Sequence, residues 1–153
     1  MKAITIYQPW ASLIAIGAKK YETRGWATRY RGPITIHAGK KRPPQLWEFG
    51  YPASEYFQKA LENVDMPLGA VIATAELVNC HIIRDDGAAE ENPNISITRY
   101  IQRPHYSREY IQGNERQFGD FTPGRYAWEF ANVILLPEPI PAQGKQGLWN
   151  FEI

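Results

Sequence analysis

Residues 70–83, AVIATAELVNCHII, constrain the fold of this chain more than any other stretch. They are apolar or β-branched almost throughout and hold neither proline nor glycine, which is the signature of a strand. At that length the strand has to curve round a small sheet rather than lie flat within it. Glu76, in its middle, is the polar anomaly, either on the solvent face or an acid facing a cleft.

Shorter runs supply the partners. Ala3 to Tyr7 reads as a strand, and Gln8-Pro9 leads into a short amphipathic helix carrying Trp10, Leu13 and Ile14 and closed by Gly17. Arg31 to Ala38 alternates as a strand does, Pro43-Pro44 marks a loop, and Ala53 to Asn63 has the pattern of a surface helix. Residues 85–94 read as an acidic surface loop, and Pro104 breaks any helix between Ile95 and Gly113, leaving a Tyr-rich flap. Arg125 to Leu136 reads as a strand entering a core, Pro137, Pro139 and Pro141 end regular structure, and Leu148 to Ile153 closes the sheet. Successive strands with a few short helices predict an α+β, mainly β architecture: a small barrel with helices at its rim, built as one domain over residues 1–153.

Composition narrows the function classes. With 44% hydrophobic and 22% charged residues the chain reads as soluble and globular, and no apolar run reaches eighteen residues, so no membrane helix is expected. The first residues make no persuasive signal peptide, and the lone Cys80 offers no disulfide framework, so a reducing, cytoplasmic setting is expected. Cys80 reads as a small hydrophobe, His81 and His105 have no visible partners, and Trp128 and Trp149 read as core. No metal-ligand spacing and no glycine-rich phosphate loop occurs, so neither a metal nor another cofactor is expected.

The net charge of +1 conceals an asymmetry. Residues 1–42 hold nine Lys/Arg and one acid, Glu22, for +8, while the other 111 residues hold eight Lys/Arg and fifteen acids, for −7. Tyr7, Trp10, Tyr21, Trp26 and Tyr30 are interleaved with those cations. Clustered cations beside flat rings suit phosphates and unpaired bases. Within this part, Gly17-Ala18-Lys19-Lys20-Tyr21-Glu22-Thr23-Arg24 places a lysine, a carboxylate and an arginine within six positions. In an extended strand Glu22 and Arg24 share a side, and a carboxylate between two cations is expected to keep a low pKa and to accept hydrogen bonds from an exocyclic amine.

The wording of the whole chain is similar to that of the ASCH (activating signal cointegrator homology) domains. It resembles them in QPWASL, in a GxKxxExR element formed by Gly17, Lys19, Glu22 and Arg24, in RGPITIHAG, in GRYAW and in GKQGLW. The resemblance implies a PUA-like β-barrel with short peripheral helices and a cleft that binds single-stranded RNA or a modified nucleoside. It places Lys19, Glu22 and Arg24 in that cleft, with Trp10, Ser12 and His37 as neighbours and Trp26 and Arg31 as further binding candidates. Some family members are hydrolases, on N4-acetylcytidine or on RNA. By that resemblance Lys19 and Glu22 would be the catalytic pair, with a further acid at Glu76, Glu90 or Glu91. The chain departs from the amidohydrolase pattern in carrying Glu22 where that enzyme has a hydroxyl. A third reading, from the residues themselves, is an interaction protein docking through the acidic 85–94 loop and the Tyr-rich 99–110 segment, its protein partners unknown.

Overall fold

The computed structural model describes residues 1–41 and 55–152. The long apolar run forms β4 (Ala70–Ile82), and its curvature organises one six-stranded sheet. Beside it lie β3 (Gly32–Ala38) and β8 (Tyr126–Pro141), both antiparallel to it. β1 (Lys2–Ile6) runs parallel to β3, β9 (Leu148–Asn150) closes one edge against β1, and β2 (Tyr21–Arg24) forms the other edge against β8. The strand order is β2-β8-β4-β3-β1-β9. The sheet curls far enough that Arg24 Nη2, on the β2 edge, donates to the Thr5 carbonyl of β1 at 2.7 Å. The result is a half-barrel, mainly β with short helices around it, as the sequence and the resemblance predict.

Helix α1 (Trp10–Ala15) packs across the mouth of the curl. Its Ala11, Ile14 and Ala15 join Ile4, Ile6, Ile34, Ile36, Leu77, Trp128 and Phe130 in the main core. A fully buried Leu or Ile contributes about 1.5–3 kcal/mol, so these side chains fix the curl of the sheet. Leu13, on the other side of α1, meets Phe57 of α2 (Glu55–Ala60), Leu61 and Phe118. The predicted Pro43-Pro44 loop and the first two residues of the predicted 53–63 helix lie outside the described residues.

A second, three-stranded sheet holds β5 (Arg84–Asp85), β6 (Arg99–Gln102) and β7 (Arg108–Tyr110) in that order. The acidic stretch read as a loop therefore contains the end of β5 and a one-turn helix, α3 (Ala88–Glu91). The Tyr-rich segment is a hairpin, with Pro104 starting the short turn between its strands. A last short helix, α4 (Gly113–Gln117), leads back to the main sheet.

The three late prolines lie inside β8 rather than ending it. Val71 pairs with Ile140 and Ala73 with Leu135, so Ile72 alone faces residues 136–139 across a wide bulge. Pro137 and Pro139 fall in that bulge, where a missing N–H removes no ladder hydrogen bond, and Pro141 sits at the strand end opposite Ala70. None of the described helices is long and apolar enough to cross a membrane.

Candidate functional site

A cavity of about 1790 Å³ opens where the ends of β1 and β3 meet β2 and the loops around residues 117–125 and 141–147. Local sequence explains how the GxKxxExR residues reach it. Gly17 takes φ +81° after α1, and the Lys19 N–H returns to the Leu13 carbonyl at 3.0 Å. Glycine meets no steric penalty in that left-handed turn, which swings Lys19 inward. The chain then enters β2, pinned by Glu115 of α4, whose two carboxylate oxygens accept from the Lys20 and Tyr21 N–H groups at 2.9 Å each. Alternation along β2 places Glu22 and Arg24 on the cavity side.

Lys19 is only 2% exposed, and its Nζ has no hydrogen-bond partner. The nearest carboxylate oxygen is Glu115 Oε1 at 3.9 Å, and the Phe121 ring lies 5.6 Å away. Burial pushes the amine below its usual 10.5, against the opposing pull of Glu22 and Glu115. Glu22 Oε1 pairs with Arg24 Nε at 3.1 Å. The low pKa expected for this carboxylate is not what the fold produces: burial lifts it above 4.5, against Arg24 and Lys19. A sequence shows neighbouring charges but not the desolvation that outweighs them here.

His37, also in the cavity lining, is 1% exposed. Its Nε2 donates to the Ala142 carbonyl at 2.8 Å, which leaves Nδ1 as the acceptor in the neutral ring, and Nδ1 has no partner. Trp149 meets the ring edge-on at 5.6 Å and donates from Nε1 to Thr5 Oγ1. Gly144 packs against this group so closely that a Cβ there would stand 2.6 Å from His37 Cε1 and 2.7 Å from Thr5 Oγ1.

Of the predicted site residues, the fold brings Trp10, Lys19, Glu22, Arg24, Trp26 and His37 to this cavity. Ser12 is elsewhere: it is buried in α1 and its hydroxyl donates to the Asp65 carbonyl and accepts from Gln8. Arg31 is also elsewhere, its guanidinium turned to the Thr28 and Tyr30 carbonyls. Trp10 is half-buried between two core clusters, whereas Trp26 and Tyr7 are 39% and 52% exposed at the cavity.

The three acids considered as distant partners do not line the cavity: Glu90 and Glu91 sit on α3, and Glu76 lies mid-strand in β4. Besides Glu22, the carboxylates at the site are instead Asp120, in its lining, and Glu115, beside Lys19. Both come from the second half of the chain. In the sequence only the GRYAW wording at 124–128 marked that region, and nothing marked Asp120 or Glu115 themselves. Among the described residues no group of three His, Cys, Asp or Glu is placed to hold a metal ion.

A model of the ASCH domain family matches residues 4–139. Activating signal cointegrator 1 of Homo sapiens is 33% identical to the chain over 98 residues, and that of Mus musculus 34%. Each match covers 61% of this chain but 16% of the relative, so the chain corresponds to a small part of those proteins. The crystal structure of ASCH from Zymomonas mobilis gives a TM-score of 0.51 at 16% identity, covering 99% of this chain and 87% of that one. A single-residue mutant of the same protein gives 0.51 at 17%, covering 99% and 89%. At such identities the likeness is one of fold.

Proposed function

The chain belongs to the ASCH domain family, and from that premise we propose that the cavity binds single-stranded RNA or a nucleobase presented by it. One observation carries the reading. Among the described residues the buried side-chain polar atoms without a hydrogen-bond partner are Lys19 Nζ, His37 Nδ1 and Arg24 Nε, the last held only by its ion pair with Glu22, and all three residues line this cavity. Orphaned buried polar groups are costly, and their convergence on one opening is what a polar ligand would relieve.

Trp26 and Tyr7 provide exposed rings on which a base can stack, and Lys40, Lys41 and Lys145 provide cations for its phosphates. The test is a titration of short labelled single-stranded RNA by fluorescence anisotropy. Trp26→Ala is expected to weaken binding by about 1–3 kcal/mol, the usual worth of one stacked base. Affinity unchanged in both Trp26→Ala and Lys19→Met would count against the site.

A second reading rests on Lys19 alone. A buried amine held below its usual pKa and near a carboxylate can take a proton or polarise a carbonyl, as hydrolysis of an N-acylated nucleoside or of an RNA backbone requires. Incubation with N4-acetylcytidine and with labelled RNA, beside Lys19→Met, separates the readings. Turnover abolished by the substitution favours a hydrolase, and its absence in the unaltered protein removes that reading.

A further inference from the structure

Resting on the reading that the cavity receives single-stranded RNA, we propose that His37 and Thr5 form a subsite for a ribose 2′-hydroxyl, by which the chain tells RNA from DNA. The two residues are partners in the parallel β1–β3 ladder, and both line the cavity. The register of β3 against β4 shifts between Ile36 and His37. A bulge of this kind re-aims the side chain beside it.

Each residue brings one half of a donor–acceptor pair. A carbonyl only accepts, so the bond from His37 Nε2 to Ala142 fixes the proton of the neutral ring on Nε2 and a lone pair on Nδ1. Nδ1 is buried, and no donor among the described residues reaches it. An indole N–H only donates, so the bond from Trp149 Nε1 takes a lone pair of Thr5 Oγ1 and leaves the hydroxyl its proton. That proton is not spent on His37, since Nδ1 has no partner.

The two atoms converge. Both stand 2.7 Å from a single point, the place where a side chain on Gly144 would begin. Gly144 is not among the glycines of positive φ, so space rather than backbone conformation calls for glycine there. One ligand oxygen beside that point can meet both atoms at hydrogen-bond distance, donating to Nδ1 and accepting from Thr5. Only a hydroxyl does both. A phosphate or carbonyl oxygen would turn a lone pair on Nδ1, and an amide N–H would accept nothing from Thr5. The amine and ring nitrogen of adenine or cytosine carry the same pair on two atoms of a flat ring, which needs a slot rather than a point. RNA presents a hydroxyl of this kind at every 2′ position, and DNA at none. Residues 142–147 form neither helix nor strand, so the backbone at Gly144 can yield as the hydroxyl enters. A 2′-deoxy sugar would leave the buried Nδ1 unpaired in the complex, which turns one missing oxygen into discrimination.

The experiment titrates the full chain with one mixed-sequence hexamer in ribose, 2′-deoxy and 2′-fluoro forms, uracil in all three, by isothermal titration calorimetry. Fluorine keeps the sugar pucker of ribose but cannot donate to Nδ1. The ribose form is expected to bind at least about tenfold more tightly than either of the others. His37→Gln, whose amide nitrogen can still donate to Ala142 while nothing replaces Nδ1, is expected to shrink the ribose preference below about threefold. Circular dichroism establishes that this variant is folded, and the three forms on the unaltered chain decide without it. Equal binding of the ribose and 2′-deoxy forms, or of the ribose and 2′-fluoro forms, overturns the subsite, as does a ribose preference left intact in folded His37→Gln. If binding without ribose preference is still lost in Lys19→Met, the cavity stands and only the subsite falls. No binding of any form overturns the cavity reading as well.

Discussion

Lys19 is held in a place that costs the folded protein stability. Its amine is buried and without a hydrogen-bond partner, while the nearby acids are satisfied by others: Glu22 by Arg24, and Glu115 by two backbone N–H groups. Replacing Lys19 by a methionine of similar length removes the desolvation cost and strands neither carboxylate. Lys19→Met is therefore expected to stabilise the fold by about 1–4 kcal/mol while abolishing ligand binding. Thermal and urea unfolding check this, and a destabilised variant would mean that the lysine supports the fold. The sign also follows from linkage. A lysine whose folded pKa lies below its unfolded value binds fewer protons when folded, so its contribution to stability improves as pH rises through that window toward 10.5. At this scale the sequence made Lys19, Glu22 and Arg24 legible, but not that burial would set the direction of their titration. His81 shows the same limit: its partner, Glu129, is 48 positions away and 3.0 Å distant.

Elements position the site through two devices. One is the loop over His37, where Gly144 fits because it has no Cβ. Gly144→Ala would press on an imidazole and a threonine fixed by the β1–β3 ladder, and is expected to cost about 1–3 kcal/mol, the usual range for overpacking. A melting temperature unchanged from the parent would show the loop to be free to shift. The other device ties the three-stranded sheet to β2. Arg103 donates to Glu109 at 2.6 Å and to the Tyr21 hydroxyl at 2.9 Å, and meets Glu129 at 2.7 Å. Against the cost of burial, the hydrogen bonds from Arg103 and His81 hold the Glu129 carboxyl below 4.5, and those from Arg103 and Tyr21 do the same for Glu109. Groups with depressed folded pKa values stabilise above their unfolded values and cease to as pH falls through the folded ones. Amides of β6 and β7 are thus expected to lose hydrogen-exchange protection below about pH 4.5, before those of β3 and β4. Simultaneous loss would show that the clamp does not govern the hairpin. The long β4 was readable from its unbroken apolar run, whereas the course of β8 through three prolines was not. A bulge is a property of a strand pair, and one strand's residues do not announce it.

At the scale of the fold, near-neutral composition hides a cavity lined, among the described residues, by six Lys/Arg, namely Lys19, Arg24, Lys40, Lys41, Arg125 and Lys145, against two carboxylates, Glu22 and Asp120. Four of the six come from the basic first 42 residues, so the charge asymmetry of the sequence survives folding as one basic opening. Two acids of the remainder, Glu109 and Glu129, are engaged by Arg103, and neither lines the opening. Lys40, Lys41 and Lys145 pair with no acid among the described residues and are free to meet phosphates. Removing all three as alanines is expected to lower the slope of log affinity against log salt by about 2 for single-stranded RNA, and an unchanged slope would place the phosphates elsewhere. The central question is whether the cavity around Lys19, Glu22 and Arg24 is where RNA binds. The most direct measurement is a calorimetric titration of a single-stranded RNA hexamer into the unaltered chain and into folded Lys19→Met. The expected result is at least about a tenfold loss of affinity in a variant as stable as its parent or more so. Equal affinity in the two proteins would contradict it.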